Sequence, residues 1–361
     1  MTWFWLAIGL VVLTAGAEVL VRGAVALASA MRISPLVIGL TVVAFGTSAP
    51  ELVVSLQSAF AGQGDIALGN VVGSNIFNVL VTLGLSALIV PLHVNVQLIR
   101  FDVPLLIALS IVVYGMCQDG RVDHLEGALL MAGLVAYTAW SMHKSRQENS
   151  PAVLGEFAAE YSEQEVSTPA RLARDAMMVV AGLGMLVFGG HLFIDAAVTL
   201  ARAWGLSELV IGLTLVAAGT SLPEVATSVV AALKGERDIA VGNVIGSNIF
   251  NLMCVLGVTA LLAPGGVPVS ESVISFDLPV MVLVAVACLP VFLIGHAIER
   301  WEACCLLAFY GLYTGYLVAQ SQGNNQVLGL LATIAWVLGP LTIVAYVVSL
   351  AAMWRQRARE R

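Results

Sequence analysis

The sequence has very little charge. Asp, Glu, Lys and Arg make up 11% of its 361 residues, against about 25% in soluble globular domains. Hydrophobic residues reach 59%, and the mean hydropathy is +0.95. So few polar groups cannot cover a water-facing surface of this length. That excludes a soluble domain and makes lipid the solvent. Cysteine is scarce too. Cys117, Cys254, Cys288, Cys304 and Cys305 lie in or at the ends of apolar runs, without zinc-ligand spacing, which excludes a disulfide framework and a soft-metal centre. They read as small core residues. No Lys or Arg precedes Arg22, so the first apolar run lacks the basic start of a cleaved signal peptide and reads as a retained span. No HExxH or GxSxG sequence occurs, so an intramembrane enzyme is not expected.

What remains is a series of long apolar runs, each sufficient for a helix of roughly 20 residues across a bilayer. Eleven are expected, over 3–30, 34–60, 66–90, 101–118, 125–142, 176–203, 207–233, 239–262, 274–296, 301–320 and 327–353. They are too long, and lack the period-two alternation, for a β-barrel. Basic residues set the orientation. With the N-terminus outside and the C-terminus inside, thirteen Lys and Arg face the cytoplasm and only Arg121 and Arg202 face out. Trp3, Trp140, Trp204, Trp301 and Trp354 fall near span ends, where interfacial anchors belong. The formal charge of −7 points to no partner, and a nucleic-acid partner is not expected; Glu148, Glu156, Glu160, Glu163 and Glu165 gather in one hydrophilic segment. That segment has no long acidic run and is too short for a calcium-sensing domain. The other histidines near span ends, His93, His124, His143 and His296, are expected to be solvated.

The chain also contains itself twice. Residues 37–51 read VIGLTVVAFGTSAPE and 210–224 read VIGLTLVAAGTSLPE, with 12 of 15 positions identical. Residues 65–78 read DIALGNVVGSNIFN and 238–251 read DIAVGNVIGSNIFN, with 12 of 14 identical. One offset of 173 relates both blocks and joins the first span to the sixth. The repeat unit is therefore five spans. An odd number forces the second copy to enter the membrane upside down, the inverted-repeat plan of secondary transporters. The expected fold is an all-α polytopic membrane protein with a ten-helix core. Its divisions are 1–142, a first half of five spans; 143–173, a cytoplasmic connector; 174–320, the inverted second half; and 321–361, an extra span with a basic tail.

Glu51 and Glu224 sit mid-span, where an ionised carboxylate costs about 2.5–3.5 kcal/mol even on the mildest scales. Two of them, at matched places, call for a cation between them. Each follows a proline with no N–H to give back to the helix, so breaks are expected around Ala44–Thr47 and Ala217–Thr220, with carbonyls released there. Those carbonyls, the hydroxyls of Thr47, Ser48, Thr220 and Ser221, and the two carboxylates form an oxygen cage suited to hard cations such as calcium and sodium. Asn70, Ser74 and Asn78, and likewise Asn243, Ser247 and Asn251, recur at i, i+4, i+8 and share one helical face. Gly69 and Gly73 form a small-xxx-small seam for a neighbouring helix. The first and sixth spans carry Glu18 against His191 and Arg22 against Asp195, read as inter-helix pairing or snorkelling, with gating as the alternative.

These two motifs, GTSxPE and GNxxGSNxFN, each present twice, resemble the alpha repeats of the cation/calcium exchanger superfamily, most of all its bacterial and archaeal sodium/calcium antiporters. The resemblance covers the ten-span core and omits the eleventh span. It implies a calcium site made by the Glu51 and Glu224 carboxylates with carbonyls near Thr47 and Thr220. It implies sodium sites at Ser48, Ser74, Ser221, Ser247 and the carbonyls of Ala44 and Ala217, with Asn78 and Asn251 completing the centre. Some members, including those that also move potassium, carry Asp where this chain has Asn251, so a potassium-independent exchanger is expected. The implied function is sodium/calcium exchange by alternating access, with net charge moved per cycle. Rival readings are a proton/calcium antiporter and a cation channel. The implied partners are calcium and sodium ions and the lipids of the cell's inner (plasma) membrane, with no cofactor. Nothing in the sequence sets the oligomeric state.

Overall fold

The structure, a computed structural model, describes residues 2–31, 33–148, 169–203, 217–293 and 295–359. The middle of the expected connector (149–168), Trp204 and the first part of the expected seventh span (207–216) lie outside the described residues. The chain is helical. Its helices are α1 (Thr2–Met31), α2 (Pro35–Thr47), α3 (Ala49–Phe60), α4 (Gly64–Ile89), α5 (Leu98–Asp119), α6 (His124–Glu148), α7 (Pro169–Ala203) and the short α8 (Ala217–Gly219). Then follow α9 (Leu222–Leu233), α10 (Arg237–Leu262), α11 (Val273–Leu293), α12 (Arg300–Ser321) and α13 (Asn325–Arg359). Among the described residues nine of them are long and apolar enough to cross a membrane, and α2 with α3, bent by 42°, count as a tenth when the pair is taken as one broken span. α8 and α9, residues 217–233, are the described part of the seventh.

Burial sorts the helices. The best apolar windows of α4 and α10, which carry the Asn-rich motif, are 78% and 89% buried, whereas that of α13 is 0% buried. A helix that is apolar yet uncovered in the monomer is solvated by lipid, so α13 is peripheral. It meets the core through α12, where the rings of Trp301 and Tyr346 meet tilted at 47°, their centroids 5.2 Å apart.

The two halves interlock across both faces. Between α4 and α5, β1 (Leu92–His93) pairs antiparallel with β4 (Ala297–Ile298), which lies between α11 and α12. At the other end β2 (Arg121–Val122) pairs with β3 (Val267–Pro268), matching Arg121 to Pro268 and Val122 to Val267. Each ribbon takes one strand from each half, which satisfies backbone groups where helices stop. α5 and α11 open in matched fashion. Tyr137 on α6 donates to Asp102 at 3.0 Å, and Tyr313 on α12 donates to Asp277 at 2.8 Å. Phe101 stacks on Trp140 and Phe276 on Tyr316.

α1 and α7 pack against each other along most of their length. The sequence signal for this is glycine at 9, 16 and 23 on α1 and at 182 and 189 on α7, spaced by seven. A Cβ on Gly16 would meet the Met185 Cβ at 2.8 Å, and one on Gly182 would meet the Leu20 nitrogen at 2.6 Å. Backbones approach this closely only where no side chain intervenes.

Several expectations need correction. Cys117, Cys254 and Cys288 are buried, but Cys304 is exposed on the first turn of α12 and Cys305 half-buried. His124 is not simply solvated, because its Nδ1 lies 2.8 Å from the Ala260 carbonyl oxygen. The small-residue seam is real on α10, where a Cβ on Gly246 would come within 2.7 Å of the Leu40 Cα. Beside Gly69 and Gly73 on α4 no described atom lies within 4 Å. Their equivalent neighbours would be residues 209–217, which lie almost wholly outside the described residues.

Candidate functional site

The two GTSxPE segments end in breaks that face each other. In the first, the chain widens into a π-helical turn at Gly39–Val43, returns to α-helix through Thr47, and breaks at Ser48 (φ −81°, ψ 5°). In the second the break falls at Thr220–Ser221, with Ser221 at φ −90°, ψ 8°. The first break thus sits one residue past the expected stretch, while the second begins at the last residue of its own, Thr220. The reason is proline: Pro50 and Pro223 occupy the first turn of a new helix, where a missing N–H leaves no bond unmade. The Ala44 carbonyl is not released either, for it accepts the Ser48 amide at 3.0 Å.

Both glutamates are fully buried. Each is held by the serine of the opposite half. Ser221 Oγ donates to Glu51 Oε1 at 2.9 Å, and Ser48 Oγ donates to Glu224 Oε1 at 3.3 Å. The second oxygen of each carboxylate, Oε2, is buried without a hydrogen-bond partner. Among the described residues, no three of His, Cys, Asp and Glu converge anywhere. The centre therefore offers two carboxylates among neutral oxygens.

The Asn-rich motifs supply the walls. Asn70 Nδ2 donates to the Glu51 carbonyl at 3.1 Å and to Ser55 at 3.0 Å; Asn243 Nδ2 donates to the Glu224 carbonyl at 3.3 Å and to Ser228 at 2.9 Å. Their amide oxygens accept from the other half: Thr47 Oγ1 reaches Asn243 Oδ1 at 3.1 Å, and Thr220 Oγ1 reaches Asn70 Oδ1 at 3.3 Å. Ser74 Oγ lies 3.2 Å from Ser221 Oγ, and Ser247 lies 3.4 Å from Thr47. Each amide is oriented with its nitrogen on a carbonyl and its oxygen on a hydroxyl, so these side chains fix the positions of both breaks.

Asn78 and Asn251 begin matched π-helical turns, Asn78–Leu83 and Asn251–Val255. Such turns recur at functional sites because they widen the helix and displace side chains from its regular ladder. Asn78 Nδ2 and Asn251 Oδ1 are both buried and unpartnered. Thr47, Ser48, Glu51, Ser74, Ser221, Glu224 and Ser247 are thus brought together with Thr220 and the backbone of Ala44, whereas Asn251 is bonded to Asn75 and Asn78 to Thr82 on its own helix. Of Ala217 only the backbone is described, at the start of α8.

Four residues outside the expected site join it. Asn75 and Asn248 meet at the centre, Asn248 Nδ2 donating to the Asn75 carbonyl at 3.3 Å and Asn251 Nδ2 to Asn75 Oδ1 at 3.4 Å. Both lie within the quoted motif but off the i, i+4, i+8 face. Ser55 and Ser228 each follow their glutamate by four residues, and that shared Glu-x-x-x-Ser spacing was the available signal. By contrast, no ion pair or hydrogen bond joins Arg22 to Asp195 among the described residues. Glu18 instead bonds Arg22 on its own helix and Lys234 at the end of α9 at 3.1 Å.

Comparison with known proteins places this architecture. The family model described as sodium/calcium exchanger protein matches residues 1–143 and 175–319. The chain belongs to the sodium/calcium exchanger protein family. The match leaves out residues 144–174, which is all of the expected connector but its first residue, and all of α13. The putative antiporter CaxA of Alkalimonas amylolytica is 40% identical over 312 residues, 84% of this chain and 95% of that one. The sodium/calcium exchanger MaX1 of Methanosarcina acetivorans is 31% identical over 334 residues, again 84% and 95%. Among solved structures, the sodium-calcium exchanger NCX_Mj soaked with 10 mM sodium superposes with a TM-score of 0.73 at 28% identity, covering 89% of this chain and 98% of that one. This exchanger is a multi-pass membrane transporter of the cation/calcium exchange type, and its family is one of transporters rather than enzymes.

Proposed function

We propose that the exchanger carries sodium one way and calcium the other, through the site between Glu51 and Glu224. One observation carries the reading: two buried carboxylates, each with one oxygen tied to the opposite half and the other free of any hydrogen-bond partner. Two such oxygens in a low-dielectric centre demand positive charge. Calcium, as transported substrate, takes both Oε2 atoms together with backbone carbonyls near Thr47 and Thr220. Sodium takes the neutral positions. Ser48, Ser221, Ser74 and Ser247 supply hydroxyls, the carbonyls of Ala44 and Ala217 supply their second lone pairs, and Asn78 and Asn251 close the centre. A site with neutral amides at both central positions has no third carboxylate, which suits sodium without potassium. The connector and the C-terminal tail face the cytoplasm and the N-terminus faces out.

Alternating access is the mechanism that the packing supports. α1 lies along α9, while its counterpart α7 does not lie along α3 among the described residues. One approach to the site is therefore covered and the other is not, and sliding of the α1–α7 pair would exchange them. Sodium-loaded vesicles containing the purified protein should take up radioactive calcium when external sodium is removed. Glu51→Gln and Glu224→Gln should each abolish that uptake. Uptake driven by a proton gradient and indifferent to sodium would overturn the sodium assignment in favour of a proton/calcium antiporter.

A further inference from the structure

Beyond the central site, a run of buried hydroxyls leads away from it along one side only. On α4, Asn78, Thr82 and Ser86 follow one another at four-residue steps, all fully buried. Thr82 Oγ1 reaches only Asn78 Oδ1, at 3.4 Å, and Ser86 Oγ has no partner. Opposite, on α9, which packs along this stretch of α4, Thr227 stands three residues beyond Glu224. It is fully buried, and its Oγ1 is also without a partner. Ser228 points to Asn243 on α10, so Thr227 lies on the side of α9 turned away from α10. A buried Thr or Ser on a helix ordinarily gives its proton to the carbonyl four residues back, as Thr41 and Ser110 do here. Ser86 and Thr227 do not.

The other half lacks most of this run. At the offset of 173, Thr82 becomes Val255 and Thr227 becomes Val54; only Ser86 keeps a hydroxyl, as Thr259, which is likewise buried with its Oγ1 unpartnered, so the asymmetry lies at Thr82 and Thr227. The two halves also differ in cover, for Val54 is only half-buried while Thr227 lies under the helices that close over α9.

We propose that Thr82, Ser86 and Thr227 line the route between the central site and the membrane face that carries the connector, closed and dry in this conformation and hydrated when α1 leaves α9. The proposal rests on the alternating-access reading above. Hydroxyls suit such a route because they exchange partners with a partly dehydrated cation and with water, without holding the ion as a carboxylate would. Ser86 and Thr227, unpartnered when shut, gain hydrogen bonds when water enters, so they also favour opening on this side. The opposite approach, uncovered among the described residues, has valines at two of the three places and keeps only Thr259.

The test is cysteine accessibility in vesicles of known sidedness. Cys304 and Cys305 are first replaced by Ala, and Glu148→Cys marks the connector face. Thr227→Cys, Ser86→Cys and Thr82→Cys are then made singly and treated with a membrane-impermeant thiol reagent from each side. Modification of Thr227→Cys and Ser86→Cys at least tenfold faster from the side that labels Glu148→Cys is the expected result. A second measurement uses Thr82→Val with Thr227→Val, which gives this route the composition of the other. It should lower the maximum exchange rate several-fold while leaving half-saturation by calcium on the opposite face in place. Protein that exchanges ions but is labelled at neither position from the connector side overturns the route and leaves the proposed function standing. Correct labelling without any calcium flux does the reverse.

Discussion

α3 and α9 carry the same Pro-Glu-x-x-x-Ser sequence in the same position of their halves, yet they live in different surroundings. Of α3 only Glu51, Ser55 and Ala59 are buried; of α9, Pro223, Glu224, Thr227, Ser228, Ala231 and Ala232 are. α1 accounts for the difference by packing along α9, while among the described residues α7 does not pack along α3. The contrast is instructive because the polar contacts of the two glutamates remain nearly identical across it. Serine to opposite glutamate, threonine to opposite asparagine, and asparagine to its own glutamate carbonyl each occur twice. The centre keeps its two-fold pairing while the approaches do not, which is what a fixed site with movable covers requires. An inverted repeat in any single conformation must be asymmetric at its approaches if the ion is never to see both sides at once.

The comparison can be tested from the largest effect downward. If the centre is symmetric, Glu51→Gln and Glu224→Gln should each cut calcium-driven exchange by more than about 100-fold, since even residues supporting a metal ligand are worth about 10–100-fold. Exchange surviving one substitution and not the other would break the symmetry. Next comes the glycine seam. Gly246→Ala drives a Cβ to within 2.7 Å of the Leu40 Cα and should cost about 1–3 kcal/mol by overpacking, seen as a lower thermal midpoint in detergent. Gly73→Ala, at the matched place on α4, sharpens the contrast, because a smaller loss there would mean that the two seams differ in closeness as well as in cover.

The reciprocal serines come third. Ser221→Ala removes the shorter contact to a glutamate and should raise half-saturating calcium about tenfold, with Ser48→Ala smaller, because both orient a carboxylate rather than create it. The order is read from calcium titrations of exchange, and a larger effect at Ser48 would reverse it. Smallest is the tie between Glu18 on α1 and Lys234 at the end of α9. Both side chains are substantially exposed, so Lys234→Ala should change the exchange rate least of the series. That change should vanish in high salt, as screened pairs do. A salt-insensitive effect would mean that the contact is more than an exposed ion pair.

What the sequence by itself determined was the membrane class, the repeat and the residues that meet at the centre. Lipid imposes a composition and a span length that no soluble chain shares, and a constant offset of 173 is readable without coordinates. The π-helical turns at Asn78 and Asn251, the break at Ser48 rather than before it, and the entry of Asn75 and Asn248 carried no such signal. They arise where two helices press on each other and the backbone widens or turns to fit. Nor did the paired motifs reveal that each serine serves the other half's glutamate, or that α9 is covered and α3 is not. Those facts belong to the tertiary structure, because two nearly identical segments can differ only in what is packed against them.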